Sequence, residues 1–134
     1  MINLQSIIKE FADDKDDYYY HVTLAPFVQN IKHHGLKVKT KKTVSNYAAY
    51  SRGKIFFCDV GTVDRWVWTI AQHGFHGYDD EAYHDVAVFR ILKSKLPYVK
   101  PDIQGTQDAG GDAYYVTYDV PPENLEFVKI VESP

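Results

Sequence analysis

The sequence predicts a single domain of the α+β class, because helical and strand-like segments alternate irregularly along the chain. A helix, a strand, a helix, a polar loop, a strand and a helix come first, and most of the remainder has the composition of strands. The strands are too short and too widely separated by loops for a βαβ array. The length of 134 residues also suits one domain, covering 1–134.

The composition is that of an ordinary soluble globular protein, with 45% hydrophobic and 25% charged residues. A net charge of -3 argues against a nucleic-acid-binding polycation. The single cysteine, Cys58, excludes an internal disulfide and suits a reducing compartment, so we expect a cytoplasmic protein. The opening residues lack the basic and apolar regions of a secretory signal. No apolar run approaches the roughly 18 residues of a membrane span, so we expect no membrane partner.

The first half of the chain contains two predicted helices and a strand. Residues 3–12 have apolar residues at helical spacing, and YYYHVT at 18–23 is aromatic and β-branched, which is typical of a strand. A second helix follows, with Pro26 in its first turn and Gly35 as its C-cap. We expect its apolar side to consist of Phe27, Ile31 and His34.

The second half begins with a strand and a helix and then turns mainly to strands. KIFFCDV predicts a short apolar strand, and the helix after it is expected to use Thr62 as N-cap and to stop at Gly74. Its apolar face would be Val63, Trp66, Val67 and Ile70. HDVAVFRILKS, AYYVTYDV and LEFVKIV favour strands. The Pro- and Gly-containing segment 97–112 predicts a long loop.

Motifs that would identify a common enzyme class are missing from the sequence. It contains no phosphate-binding glycine loop, zinc pattern or serine nucleophile elbow. Cys58 follows an apolar run, which favours an inert core thiol over a nucleophile. His73, His76 and His84 lie close in sequence, but intervening glycines would interrupt a helix that aimed two rings at one ion. We therefore expect no metal site.

The basic run from Lys32 to Lys42 permits two interpretations. It is either a solvated loop or a contact for the phosphates of a nucleotide or nucleic acid. Arg52 and Lys54 extend the run, and the nearby aromatic rings that could stack on bases are Tyr47 and Tyr50. The negative net charge weakens the nucleic-acid interpretation.

His21 ends an aromatic strand directly before a helix. Its ring could be packed and hydrogen-bonded in the core, which the local sequence alone favours. Alternatively, it could bind a ligand hydroxyl while the backbone of Val22 faces the same cleft.

Three separated segments carry a resemblance to a known superfamily. YHVTLAPFVQNIKHHGL contains an aromatic-His-x-Thr signature followed by a helix and Gly-Leu. The second segment, GKIFFCDVGTVDRWV, is similar to the motif Gly-Lys-Gly-Ile-Tyr-Phe-Ala-Asp followed by a helix. The third, YYVTYDVPPENLEFVKI, predicts a strand that ends in Tyr-Asp, followed by a short turn and Asn-Leu before the last strand. In this order the segments resemble the ADP-ribosyltransferase superfamily, in its poly(ADP-ribose) polymerase-like, diphtheria-toxin-type branch. The resemblance covers about half the chain, in patches.

The resemblance implies an ADP-ribosyltransferase-like split antiparallel β-sheet with flanking helices around a cleft for NAD, which is a substrate. His21 would hold a ribose hydroxyl, the backbone of Val22 would read the nicotinamide amide, and Thr23 would contact a ribose.

The second of these motifs would supply aromatic walls for the nicotinamide ring. Phe56 takes the place of the usual stacking tyrosine, and a phenyl ring retains the π face that stacking needs. Trp66 or Trp68 would form the opposing wall. Gly53 and Phe57 belong to the same motif and are assigned to the cofactor site.

The third motif departs from the family pattern at Tyr114. Active family members usually carry a glutamate there, which orients the ribose and stabilises an oxocarbenium-like transition state. Asp112, two residues earlier, would share the face of Tyr114 in a strand, and Asp108 in the loop is a second substitute. Solvated acids are the alternative for both.

The resemblance therefore predicts an NAD-dependent mono-ADP-ribosyltransferase without a metal, whose catalytic residues are His21, Phe56, Asp112 and Tyr114. Its acceptor would be a protein, a nucleic acid or water, recognised by the loop 97–112, and the small size suits a bacterial or phage effector or toxin. Three alternatives stay open. They are an inactive NAD- or nucleotide-binding module, an RNA 2′-phosphotransferase-like enzyme, which would rely on arginines that are few here, and a non-enzymatic protein that only echoes the motifs.

Overall fold

The computed structural model describes residues 17–38, 53–73, 85–103, 106–107 and 112–132. Within these ranges the chain forms strands β1 to β6 and two α-helices. The strands are β1 (Tyr18–Leu24), β2 (Ile55–Cys58), β3 (Val86–Leu92), β4 (Lys100–Pro101), β5 (Ala113–Val116) and β6 (Glu126–Val131), and the helices are α1 (Val28–His34) and α2 (Val63–His73). The helix expected at 3–12 and most of the basic loop lie outside the described residues.

All six strands join one antiparallel sheet in the order β4-β5-β2-β1-β3-β6. The β1–β3 ladder runs the full length of both strands, from the Tyr18–Leu92 pair to the Leu24–Val86 pair. Such mixing of helices with an antiparallel sheet confirms the predicted α+β class. The expected strand at 86–92 is confirmed as well, because its β-branched residues fit a pleated, buried position.

Helix α1 covers one face of the sheet, here called the α1 face. A 3₁₀ turn at Ala25–Phe27 precedes the helix, with Pro26 in its first turn, and Gly35 ends the helix with a φ of 74°. The prediction of His34 on the apolar side was wrong, since that side chain is exposed while Val28 and Ile31 are buried. Phe27 belongs to the 3₁₀ turn and packs, partly buried, against the same core as Val28 and Ile31.

Helix α2 covers the opposite face, here called the α2 face. Its residues Val63, Val67 and Ala71 are fully buried against Tyr20 and Cys58, with Trp66 and Ile70 packed beside them. This confirms the predicted apolar face of the helix. The expected N-cap was wrong, because the Thr62 hydroxyl donates to carbonyls instead of accepting from the helix; the acceptors are Asp59 O at 3.2 Å and Asp112 O at 3.0 Å.

Two expected boundaries near β5 also differ from the structure. The segment 97–112 contains the short strand β4, which pairs with β5 through Pro101 and Tyr114. Strand β5 ends at Val116, four residues before the expected end, because the chain then bends and Val120 exchanges backbone hydrogen bonds with Leu36. Among the described residues, no helix is both long and apolar enough to cross a membrane.

Candidate functional site

The centre of the sheet opens between β1 and β2. In the described residues these strands are joined by one register pair, Tyr20 with Cys58. Continuing that register would pair Val22 with Phe56, but the structure shows no such pair among the residues of either strand. The sheet is therefore divided into a β4-β5-β2 half and a β1-β3-β6 half that meet at a narrow junction.

His21 lies at this junction and bridges it with its side chain. Its Nδ1 lies 2.7 Å from the carbonyl oxygen of Phe56. Because a carbonyl oxygen only accepts, Nδ1 must carry the proton in this bond, and in the neutral ring Nε2 is then an acceptor. Burial lowers the pKa of His21, and the bond to Phe56 opposes that shift in part. The ring is thus a neutral acceptor at pH 7, and no partner for Nε2 is present in the described part of the chain.

The α1 face brings His21 together with two of the other predicted site residues. The ring of Phe57 lies 5.6 Å from that of His21, centroid to centroid. Tyr114 pairs with Phe57 across the β2–β5 ladder, so its side chain is on the same face. Thr23, two residues after His21 on β1, also faces this side and is buried. His21, Phe57 and Tyr114 thus form a row across the central strands.

The α2 face carries the remaining predicted aromatic residues. Phe56 is partly buried there, and its ring contacts Tyr115 at a centroid distance of 6.4 Å. Val22 and Trp66 pack against the core beneath α2, as does Trp68. Phe56 and His21 therefore lie on opposite faces, joined by the hydrogen bond that passes through the junction. Gly53 lies in the turn before β2 with a φ of 77°.

Sequence reasoning missed a cluster beside Tyr114, here called the Asp59 cluster, which consists of Tyr19, Asp59, Lys93 and Tyr114. The hydroxyl of Tyr114 donates to Asp59 Oδ2 over 2.8 Å, and the Lys93 ammonium lies 3.3 Å from Oδ1 of the same carboxylate. The rings of Tyr19 and Tyr114 are 5.3 Å apart, and Lys93 Nζ lies 4.8 Å from the centre of the Tyr19 ring. The carboxylate nearest the expected glutamate position is therefore supplied from the end of β2.

The surroundings of Tyr114 keep its hydroxyl protonated. Burial raises the pKa of Tyr114, and the hydrogen bond to Asp59 and the charges of Asp59 and Asp112 raise it further. Burial, the largest cause, disfavours any charge at this position, and the Asp59 carboxylate is itself paired with Lys93. The cluster thus holds a neutral phenol beside an ion pair.

The two acids that the sequence suggested contribute less to this geometry. Asp112 immediately precedes β5, and its side chain is exposed. Its charge reaches Tyr114, as the pKa of that residue reflects. Asp108 lies outside the described residues.

Other expectations concern residues away from the junction. Cys58 is buried in the core beneath α2, where burial raises the pKa of its thiol. Lys32 and Lys54 lie over the rings of Phe127 and Tyr115, 4.4 Å and 4.8 Å from the ring centres, and the rest of the basic run beyond Val38 lies outside the described residues. His76 and His84 lie there too, and the side chain of His73 is not described. Among the described residues, no three His, Cys, Asp or Glu side chains could together hold a metal ion.

Comparison with known proteins adds no family to this description. No protein-family model matches the chain, and no curated protein matches it either. The motif resemblance therefore remains a prediction.

Proposed function

We propose that this protein is an NAD-dependent mono-ADP-ribosyltransferase, which breaks the bond between nicotinamide and ribose and transfers ADP-ribose to a macromolecular acceptor. The observation that carries the proposal is His21 at the junction of β1 and β2. A sheet that pairs at one position in its centre supports the split sheet that the motif resemblance implies. The residue for which the resemblance predicts a ribose contact is the one whose side chain spans that split.

The chemistry of His21 suits a ribose. The Nδ1–H bond to Phe56 fixes the ring, which leaves Nε2 as an acceptor for a sugar hydroxyl. A fixed acceptor orients the sugar without having to reorganise during the reaction. The backbone at Val22, where register pairing with β2 has stopped, is the proposed contact for the nicotinamide amide.

Bond cleavage in this proposal proceeds through a sugar with oxocarbenium character. As the nicotinamide C–N bond breaks, its electron pair leaves with the ring, and positive charge develops on the ribose. Asp59, which accepts the hydrogen bond of Tyr114, is the proposed source of stabilisation for that charge. An acceptor nucleophile then attacks the anomeric carbon and loses its proton to solvent. Phe57, whose ring lies 5.6 Å from that of His21, is the proposed aromatic contact of the nicotinamide, because Phe56 and Trp66 lie on the opposite face of the sheet.

The test is incubation with NAD labelled in its ADP-ribose part, with and without cell lysate. We expect nicotinamide release and transfer of label to protein or nucleic acid, which would also identify the acceptor class. The matched control is His21→Asn, whose amide can keep the bond to Phe56 while Nε2 is lost. The proposal would be overturned if the wild-type protein showed no nicotinamide release and no rise in melting temperature with NAD.

A second candidate is a module that binds NAD or another nucleotide without turning it over. The observation that favours it is that position 114 carries a tyrosine where the family pattern has a glutamate. In the described residues, the charge in contact with its hydroxyl is that of Asp59. The same experiment separates the two functions. A thermal shift with NAD that is not accompanied by nicotinamide release supports the binding module and rejects the enzyme.

A further inference from the structure

The hydrogen bond between Tyr114 and Asp59 determines what the tyrosine can offer to a ligand. A phenol has one proton to donate and lone pairs that accept. The proton of Tyr114 is directed at Asp59 Oδ2, 2.8 Å away. The oxygen of Tyr114 is therefore left as an acceptor, which is the role that a carboxylate oxygen would have at this position.

The anchoring of Asp59 makes this arrangement rigid. Lys93 holds the other carboxylate oxygen at 3.3 Å, and the Tyr114 ring packs against Tyr19 at 5.3 Å. Both side chains of the Asp59–Lys93 pair are partly buried, with 21% and 30% of their surface exposed. Since a negatively charged acceptor polarises the hydroxyl that donates to it, the Tyr114 oxygen becomes a stronger acceptor than a free phenol.

Tyr114 and His21 project from the same face of the sheet. The two residues flank Phe57 on the α1 face, and adjacent strands are about 4.8 Å apart, so their Cα atoms are separated by about 10 Å. Phe57 lies between them, so a pentose that contacts both side chains would have to lie over its ring.

We propose that Asp59 is a positioning residue that turns Tyr114 into the hydrogen-bond acceptor for a ribose hydroxyl, through the chain ribose O–H, Tyr114 O–H, Asp59 carboxylate. This inference rests on the proposed function and deepens it. Tyr114 would contact the sugar, whereas Asp59 acts only through the tyrosine. The negative charge that the family pattern places on β5 is in this chain supplied by β2 and relayed by the phenol.

The experiment measures kcat and KM for nicotinamide release by the wild-type protein, Tyr114→Phe, Asp59→Asn and the double variant. Each single change should lower kcat by about 10- to 100-fold, the effect of a hydrogen bond to a charged group, with a smaller change in KM. Because the two residues act in series, the double variant should be no slower than Tyr114→Phe. Asp17→Asn removes a carboxylate from an exposed position at the start of β1 and should keep the wild-type kcat.

Substrate analogues provide a second measurement that a purely structural role would not affect. Two NAD analogues lack either the 2′- or the 3′-hydroxyl of the nicotinamide ribose. With one of them, the kcat of the wild-type protein should fall by the same factor by which Tyr114→Phe lowers kcat with NAD. The kcat of Tyr114→Phe should not fall further with that analogue. Thermal melting of each variant checks that the fold is retained; Phe keeps the ring packing and Asn keeps an oxygen that can accept from Tyr114.

The outcomes separate this inference from the proposed function. A wild-type protein that neither binds NAD nor releases nicotinamide overturns both. An active wild-type protein whose Tyr114→Phe variant keeps its kcat, or whose double variant loses the product of the two single effects, overturns the inference alone.

Discussion

His21 and Phe56 are joined across the middle of the sheet by a 2.7 Å hydrogen bond from an imidazole to a backbone carbonyl, at the position where β1 and β2 cease to pair. A side chain thus takes the place of the next rung of the ladder. Both the stability of the junction and the polarity of the proposed cleft depend on this one bond.

Replacing His21 should separate its structural role from its ligand-binding role. His21→Ala removes the bond to Phe56 and the contact with Phe57, so we expect a loss of about 1–2 kcal/mol in the free energy of unfolding. His21→Asn retains a donor at the place of Nδ1 and should recover about half of that loss. Urea unfolding measures both variants, and equal stabilities of the Ala and Asn variants would contradict the structural role of the bond.

The stability of the protein should depend on pH through His21. Its pKa is lowered in the folded state from the ordinary value of 6.5, so the unfolded chain binds the proton more readily. The folded state therefore loses stability as the pH falls below about 6.5, by at most about 1.4 kcal/mol per pH unit, and no such loss occurs at higher pH. His21→Asn should lack this component. Unfolding curves at intervals from pH 8 to pH 5 give the difference, and parallel pH profiles would refute the assignment.

The effect of Asp59 on Tyr114 should be measurable as a change in the pKa of the Tyr114 phenol. Because burial, the bond to Asp59 and its charge all raise the pKa of this phenol, Asp59→Asn should lower it relative to the wild-type protein. Tyrosine labelled with ¹³C at Cζ gives one signal per ring, and the signal missing from Tyr114→Phe identifies the residue. An unchanged titration midpoint in Asp59→Asn would show that the carboxylate does not act on the hydroxyl.

Gly35 should be far less tolerant of a side chain than Gly53, although both have a positive φ, of 74° and 77°. A Cβ at Gly35 would collide with backbone atoms of Val120 and Pro122, whereas one at Gly53 meets nothing within 4 Å. Gly35→Ala should therefore destabilise by about 3 kcal/mol, and Gly53→Ala by about 1 kcal/mol for the backbone conformation alone. Chemical unfolding of the two variants compares these costs directly, and similar losses would contradict the close packing of α1 against this segment.

Cys58 should be unreactive toward thiol reagents in the folded protein. The side chain is 2% exposed, and burial raises the pKa of its thiol, so the reactive thiolate is scarce at neutral pH. Gly61→Cys supplies a matched control, because position 61 is exposed and open to a side chain. Ellman's reagent should react with the wild-type protein only after denaturation, whereas one thiol of the native Gly61→Cys variant should react at once. Rapid reaction of the native wild-type protein would show that solvent reaches the core beneath α2.

Elements with a strong local pattern could be predicted from the sequence. The aromatic and β-branched run of β1, and Pro26 and Gly35 around α1, specify those elements through their own backbone preferences. The two-residue strand β4 carries no such pattern, since Lys100 and Pro101 are extended only because β5 lies beside them. Its existence depends on tertiary contacts that no local window contains.

The candidate site shows the same limit. His21 stands out in the sequence because it follows a run of tyrosines, although the expectation that it ends the strand was wrong, since β1 continues to Leu24. Asp59 has no such signal. The bond between Asp59 and Tyr114 joins residues 55 positions apart, and the register of β2 against β5 determines it. A shift of one residue in that register would turn Tyr114 to the other face and separate the pair.

The narrow junction is also a place where, in the described residues, fewer backbone pairs hold neighbouring strands together than in the β1–β3 ladder. Parting the sheet between β1 and β3 would break a full ladder, whereas parting it between β1 and β2 breaks one backbone pair, the bond of His21 to Phe56 and the side-chain contacts of the Asp59 cluster. We therefore expect the backbone to open more easily along this line than along the β1–β3 ladder. His21 and Val22 lie beside β2 on the same line, so a molecule bound there would add contacts between two halves that share one register pair in the described residues.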